Sequence, residues 1–179
     1  MKRSLEAALT YHAKNKWIPF LTAGEKKAIV KYTDVDIYFS VNKALRDATN
    51  THMNPMVCEI IKDIESGLKK FRYGENLTVY RSVSEEEYIF IENNNVIYSF
   101  SDFKSTTISK IKAFQLSQSK TKHIILAQLP AYVNGAYIAP LSKFKDEKEF
   151  LLNRECNYKI ISKQHDIEKD IKYIFLKVV

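Results

Sequence analysis

The chain has 179 residues, of which 45% are hydrophobic and 27% charged, and its formal net charge is +7. This balance is typical of a soluble globular protein, and the length predicts a single domain over residues 1–179. The low content of glycine and proline, four of each, excludes a low-complexity chain. No apolar run is long enough to cross a bilayer, so we expect no membrane partner.

The opening stretch MKRSLEAALTYHAKNKW begins with basic residues, as a secretory signal does. Glu6 and His12 leave too short an apolar segment for a signal peptide. We therefore predict a polar helix here, with no signal peptide in this chain.

Three further helices are predicted in the first half, over residues 23–33, 36–48 and 54–71. The first follows Thr22, a capping residue three positions before Glu25. The second spaces its apolar residues along one helical face, and the third starts at Asn54-Pro55, a favourable helix start.

The second half contains seven short segments rich in Val, Ile, Tyr, Phe and Thr, which is typical of β-strands. They cover residues 76–83, 102–109, 122–130, 135–140, 148–153, 158–164 and 172–179. Because helices come first and strands later, without alternation, the sequence predicts an α+β fold with mostly antiparallel sheets. We interpret the acidic cluster Glu85-Glu86-Glu87 as a solvated turn, and we assign no function to segment 84–102.

Glu147 and Glu149 flank a lysine directly before the apolar run Phe150-Leu151-Leu152. In a strand, side chains two residues apart point to the same face, so both carboxylates would lie side by side at one strand edge. Their repulsion is relieved either by water or by a cationic group. The pair alone therefore fits an exposed edge as well as a cleft that receives a cation.

Arg81 closes a predicted strand, and Ser105-Thr106-Thr107 lies on another. The arginine fits either a surface side chain or a guanidinium that binds phosphate or carboxylate. The hydroxyl residues fit either ordinary strand positions or a group that orients a catalytic carboxylate.

The cysteines and histidines show no metal-ligand spacing, and no HExxH pattern is present, so we predict no metal site. These residues are scattered along the chain at Cys58, Cys156, His12, His52, His123 and His165.

Taken in order, these pieces resemble the mono-ADP-ribosyltransferase toxins of the Arg–Ser–Glu class, which includes bacterial actin-modifying toxins and phage-encoded enzymes. The resemblance extends from about Trp17 to the end of the chain. It is carried by AIVKYTDVDIYFSVNKALR, by Tyr80-Arg81 at a strand end, by the strand FKSTT, and by IILAQLPAYVNGAYIAPLSKFKDEKEFLLNRECNYKI. The sequence departs from the family pattern at Thr107, where serine is usual, and at Ser82, where arginine or glycine is frequent.

The resemblance implies that helices pack on two sheets, which form a split β-sandwich with an NAD cleft between them. It implies that Glu149 hydrogen-bonds the 2′-hydroxyl of the nicotinamide ribose and stabilises an oxocarbenium-like transition state. Ser105 would hold Glu149 in place, and Arg81 would bind a phosphate of NAD. The further NAD-binding residues that it implies are Arg46, Asn42, Thr106, Thr107 and Phe114.

The same resemblance assigns the acceptor to Glu147, with Phe144 and the loop 140–146 shaping its pocket. Family members with glutamate at this position usually modify arginine, whose guanidinium a carboxylate can anchor. We therefore predict an NAD-dependent mono-ADP-ribosyltransferase that modifies protein arginine and releases nicotinamide, without a metal. We expect a monomeric toxin or effector that acts in the cytoplasm of a host or prey cell.

Two alternatives remain open from the sequence. The acceptor could be a nucleic acid, which the positive net charge favours, or water, which would make the chain an NAD glycohydrolase. The chain could also be a non-catalytic RNA- or protein-binding module on the same fold.

Overall fold

A computed structural model describes residues 3–47, 54–94, 97–117, 120–154 and 156–179. Its α-helices are α1 (Leu5–His12), α2 (Ala23–Tyr32), α3 (Val35–Arg46), α4 (Pro55–Lys69), α5 (Glu85–Glu92) and α6 (Lys110–Leu116). Its strands are β1 (Leu77–Val83), β2 (Tyr98–Ser99), β3 (Lys104–Thr107), β4 (Lys122–Leu129), β5 (Gly135–Tyr137), β6 (Glu149–Leu152), β7 (Asn157–Asp166) and β8 (Ile171–Val178). No helix in the described part of the chain is long and apolar enough to cross a membrane.

Local capping sets the starts of the predicted helices. Thr22 and Glu25 form a reciprocal capping box at α2, and the Asn54 side chain accepts a hydrogen bond at the start of α4. The polar helix predicted at the N-terminus is α1, and a π-helical segment, Ala13–Trp17, continues it. Residue 48, the predicted end of the second helix, and His52 lie outside the described residues.

The eight strands are hydrogen-bonded in the order β2-β7-β8-β4-β1-β3-β6-β5. Every pairing is antiparallel except that of β4 with β8, so the predicted α+β fold with mostly antiparallel strands is confirmed. Whereas β1 and β4 pair along the whole of β1, β1 and β3 meet at one register pair, Tyr80 opposite Thr107. The two sheets that the resemblance implies are thus two portions of one ladder, joined by this narrow bridge.

Helices pack on the portion formed by β3, β6 and β5, and an aromatic series connects them. The Trp17 ring lies 5.4 Å from that of Phe71, and the Phe71 ring lies 5.9 Å from that of Phe150 on β6. Trp17 also donates a 2.8 Å hydrogen bond to the carbonyl of Gly67 on α4. This packing fixes β6, the strand that begins at Glu149.

The prediction of a turn at Glu85-Glu86-Glu87 is wrong, because these residues form the first turn of α5. Glu85 and Glu86 are exposed, as expected of a solvated segment, whereas Glu87 is partly buried. The Ser84 side chain accepts a hydrogen bond from the Glu87 amide, and acidic side chains are favourable at a helix N-terminus. Tyr88 on the same helix is buried, which anchors α5 against the sheet.

Candidate active site

A cleft opens where β1, β3 and β6 come together at the narrow bridge. Its lining includes six of the residues predicted to form the site: Arg81, Ser105, Thr106, Thr107, Glu147 and Glu149. Tyr80, Ser82, Ala113 and Leu116 complete the lining. Residues that are remote in the sequence are therefore gathered at one place.

Glu149 lines this cleft and is the first residue of β6, opposite Thr107 of β3. It is only 7% exposed, and burial raises its pKa to about 7. The neighbouring charge of Glu147 also raises this pKa, whereas a hydrogen bond from Ser105 and the charge of Arg81 lower it. The group thus titrates near neutral pH.

The backbone conformation that places Glu147 in the cleft differs from the predicted strand. It ends a 3₁₀ turn, Lys145–Glu147, and the next residue, Lys148, is in the left-handed conformation with φ 51° and ψ 46°. The predicted strand start at residue 148 is therefore wrong, and so is the expectation that strand alternation aligns the two carboxylates. Burial raises the pKa of Glu147 as well, while the charge of Lys112 lowers it.

Ser105 contacts both Glu149 and Arg81 in the cleft. Its side chain hydrogen-bonds to Glu149, and its backbone carbonyl accepts a 2.8 Å hydrogen bond from Nη1 of Arg81. The hydroxyls of the next two residues on the strand hydrogen-bond to backbone groups. The Thr106 hydroxyl donates to the carbonyl of Phe150, and the Thr107 hydroxyl accepts from the amide of Ser109.

Arg81 is a largely buried guanidinium, so a snorkelling surface arginine is excluded. Its side chain is 18% exposed, and its Nη2 donates to Oε2 of Glu87 at 3.1 Å. Burial opposes its charge, but Glu87 and a hydrogen bond with Tyr38 outweigh that effect and raise the pKa of Arg81. Its Nε is buried and has no partner among the described residues.

Glu87 is the site residue that sequence reasoning missed. Burial opposes its ionisation, but the nearby charges of Arg81 and Lys104 hold its pKa below the usual value. The spacing of Ser84 and Glu87 matches the first and fourth positions of a capping box, which could have revealed α5. The contact between Glu87 and Arg81 depends on tertiary packing, and no local pattern indicates it.

Arg46 and Asn42, both on α3, do not line the cleft. Arg46 is half-exposed and donates from Nη1 to Oδ2 of Asp102 at 2.6 Å. Asn42 is buried, and its amide donates to the hydroxyl of Tyr32 at 2.9 Å. Their contacts with NAD stay predictions.

Phe114 and Phe144 flank the cleft without lining it. Phe114 lies on α6, next to the cleft residue Ala113, and its ring packs against Tyr173 with centroids 6.4 Å apart. Phe144 is about half-exposed and precedes the 3₁₀ turn that carries Glu147. Their roles beside nicotinamide and acceptor also stay predictions.

The cleft contains groups that can stabilise a positive charge on a bound sugar and groups that can bind an anion. A buried carboxylate, oriented by a hydroxyl, can stabilise positive charge that develops on a bound sugar. A guanidinium that lines the cleft, as that of Arg81 does, can bind a phosphate. Within the described residues, no group of three histidine, cysteine or acidic side chains lies close enough together to hold a metal ion.

The chain is similar in sequence to proteins of a known family. The family model for the ADP-ribosyltransferase exoenzymes matches residues 8–179. The NAD(+)–arginine ADP-ribosyltransferase EFV of Enterococcus faecalis is 34% identical over an alignment of 151 residues, and the match covers 82% of this chain. The match covers 30% of that relative, so the chain spans less than a third of its length.

Solved structures share the fold. C3stau2 from S. aureus, solved with NAD, matches with a TM-score of 0.78 at 18% identity and covers 99% of this chain and 97% of its own. The ADP-ribosyltransferase Vis from Vibrio splendidus, in complex with agmatine, matches with a TM-score of 0.71 at 20% identity. That match covers 100% of this chain and 87% of Vis.

Proposed function

Because the chain belongs to the ADP-ribosyltransferase exoenzyme family, we propose that it transfers ADP-ribose from NAD to protein arginine and releases nicotinamide. The observation that carries the proposal is the buried carboxyl of Glu149, held by Ser105 in the same cleft as Arg81. The relative EFV, which is named as an arginine-modifying enzyme, supports the acceptor class.

In the proposed reaction, the bond between the ribose C1′ and the nicotinamide nitrogen breaks, and its electron pair leaves with nicotinamide. The sugar gains positive charge in the transition state, which the ionised carboxylate of Glu149 stabilises. A guanidinium nitrogen of the acceptor then forms the new bond to C1′, and its proton passes to the carboxylate of Glu147. Arg81 holds a phosphate of NAD during these steps.

Glu147 is the proposed acceptor residue. Its carboxylate lines the cleft beside Glu149 and is only partly buried, so an incoming guanidinium can reach it. The loop 140–146 that precedes it is fixed to the helices, because the Lys143 amide donates to the Thr33 hydroxyl at 3.2 Å and its ammonium pairs with Asp34 at 2.7 Å. Agmatine, the ligand in the Vis complex, carries a guanidinium group and supports this acceptor chemistry.

We further propose that residues 1–179 act as one catalytic domain, as a monomer and without a metal, inside a host or prey cell. In support of one domain, the main hydrophobic cluster includes residues of both the N-terminal helices and the sheet. The net charge of +7 is the observation that favours a nucleic-acid acceptor, so RNA belongs in the test.

The test offers NAD labelled in its adenosine half to agmatine, to RNA and to a cell lysate, and follows nicotinamide release in parallel. We expect the protein to label agmatine and lysate proteins, with arginine as the modified residue by mass spectrometry. Glu147→Gln should reduce label transfer to agmatine by about a hundredfold while nicotinamide release in water continues. Label on RNA alone, or equal loss of transfer and release in Glu147→Gln, would contradict the proposed acceptor.

A further inference from the structure

Five charged side chains form a continuous series that starts in the cleft and ends on α3. Nη2 of Arg81 lies 3.1 Å from Oε2 of Glu87, and Oε1 of Glu87 lies 3.2 Å from Nζ of Lys104. The same Nζ lies 3.0 Å from Oδ1 of Asp102, whose Oδ2 lies 2.6 Å from Nη1 of Arg46. We call these five residues the charge relay.

Lys104 is the centre of the charge relay and is largely buried. Its side chain is 9% exposed, and its ammonium also lies 3.9 Å from the centroid of the Phe100 ring. A buried ammonium is unfavourable unless several partners compensate its lost hydration. Here two carboxylates and an aromatic face provide that compensation, so Lys104 is fixed in place.

The two carboxylates of the relay each face two cations. Glu87 contacts Lys104 with one oxygen and Arg81 with the other, and Asp102 likewise contacts Lys104 and Arg46. Each carboxylate therefore fixes the direction of one arginine, while Lys104 fixes both carboxylates. The orientation of the Arg81 side chain on β1 is coupled in this way to the orientation of the Arg46 side chain on α3.

We propose that Lys104 is a positioning residue for NAD: through Glu87 and Asp102 it presents Arg81 and Arg46 at a fixed spacing to the pyrophosphate of the dinucleotide. This inference rests on the proposed function, in which the two arginines bind phosphate. The relay carries three positive and two negative charges, so it keeps a net charge of +1 for an anionic ligand. Removal of the Lys104 ammonium leaves two carboxylates against two arginines and cancels that charge.

The charge relay also gives segment 84–102 a role, since Glu87 lies near the start of this segment and Asp102 is its last residue. A concave surface between them is lined by Arg46, Glu87, Phe100, Asp102 and Lys104.

The test compares Lys104→Met with Lys159→Met, which removes the same charge from an exposed position on β7 outside the relay. Steady-state kinetics of nicotinamide release give KM for NAD and kcat, and calorimetry gives the Kd of NAD. We expect Lys104→Met to raise KM and Kd by about tenfold or more with kcat within about twofold of the unsubstituted protein, because Glu149 and Ser105 are unchanged. Lys159→Met should leave all three constants unchanged.

Asp102→Asn provides a second variant if Lys104→Met does not fold. It keeps the side-chain shape but leaves only one acceptor oxygen, so Arg46 and Lys104 can no longer each pair with an oxygen of this residue. Arg46 thereby loses its fixed direction, and we expect this loss to outweigh the rise of the net charge of the relay to +2. We expect a rise in KM for NAD with unchanged kcat here too, and a thermal melt confirms that the variant is folded.

The outcomes separate this inference from the proposed function. An unsubstituted protein that neither binds nor cleaves NAD refutes both. If that protein cleaves NAD and a folded Lys104→Met or Asp102→Asn variant keeps its KM, or loses kcat instead, the positioning role of the relay is wrong while the transferase proposal stands.

Discussion

Glu149 combines deep burial with a charge that the proposed chemistry needs. Burial raises its pKa to about 7, so the carboxyl is only partly ionised at neutral pH. Only the ionised form can stabilise a cationic sugar. We expect kcat/KM for nicotinamide release to rise about tenfold between about pH 6 and about pH 8 and then to level off. Initial rates at constant ionic strength measure this, and a flat profile over the same range would exclude Glu149 as the titrating group.

The raised pKa also fixes the sign of the contribution of Glu149 to stability. The folded chain holds this proton up to about pH 7, whereas the unfolded chain releases it near the ordinary value of 4.5. The native state therefore binds more protons in that window, and the contribution of Glu149 to the free energy of unfolding is lost as pH rises through it. The site is thus less stable in its ionised, active form.

The residues of the cleft were predictable to different degrees. Arg81, Ser105 and Glu149 were predicted from the order of their motifs, and the structure places them in one cleft. Glu87 was missed, because its carboxylate becomes a partner of Arg81 only when α5 folds back beside β1. A tertiary contact of this kind produces no recognisable residue spacing in the sequence.

At the scale of elements, the left-handed residue Lys148 directs Glu147 toward the cleft. Its carbonyl accepts a hydrogen bond from the Ile108 amide at 3.2 Å, which fixes the turn before β6. A β-branched residue is strongly disfavoured in this conformation, whereas asparagine adopts it readily.

We therefore expect Lys148→Val to reduce transfer to agmatine by about tenfold relative to nicotinamide release, while Lys148→Asn keeps the ratio. Both substitutions remove the exposed ion pair of Lys148 with Glu6, so that loss is matched between them. Product analysis with labelled NAD gives the ratio of transfer to release. Equal ratios in the two variants would show that the backbone conformation at Lys148 does not position Glu147.

Element boundaries were predicted correctly where contacts within one helical turn determine them, and wrongly where tertiary packing determines them. The starts of α2 and α4 follow from Thr22 with Glu25 and from Asn54-Pro55, all of which act within one helical turn. The start of β6 was placed one residue early, because the conformation of Lys148 depends on a contact with the loop after β3. α5 was missed because three adjacent glutamates were interpreted as solvated.

At the scale of the whole molecule, the cleft coincides with the weakest connection of the sheet. One register pair, Tyr80 with Thr107, joins the portion that ends in β1 to the portion that begins with β3. The sequence predicted the α+β class and the strand-rich second half. It could not predict the parallel pairing of β4 with β8, since residues 122–128 and 171–177 are brought together by tertiary packing alone.

The central claim is that Glu149, in this cleft, drives cleavage of the bond between ribose and nicotinamide. The most direct measurement is the rate of nicotinamide release from NAD by the unsubstituted protein and by Glu149→Gln, at the same NAD occupancy and above about pH 7, where the carboxyl is ionised. We predict a fall of about 10²- to 10³-fold in Glu149→Gln with NAD binding retained. A variant that binds NAD and releases nicotinamide at the unsubstituted rate would contradict the account.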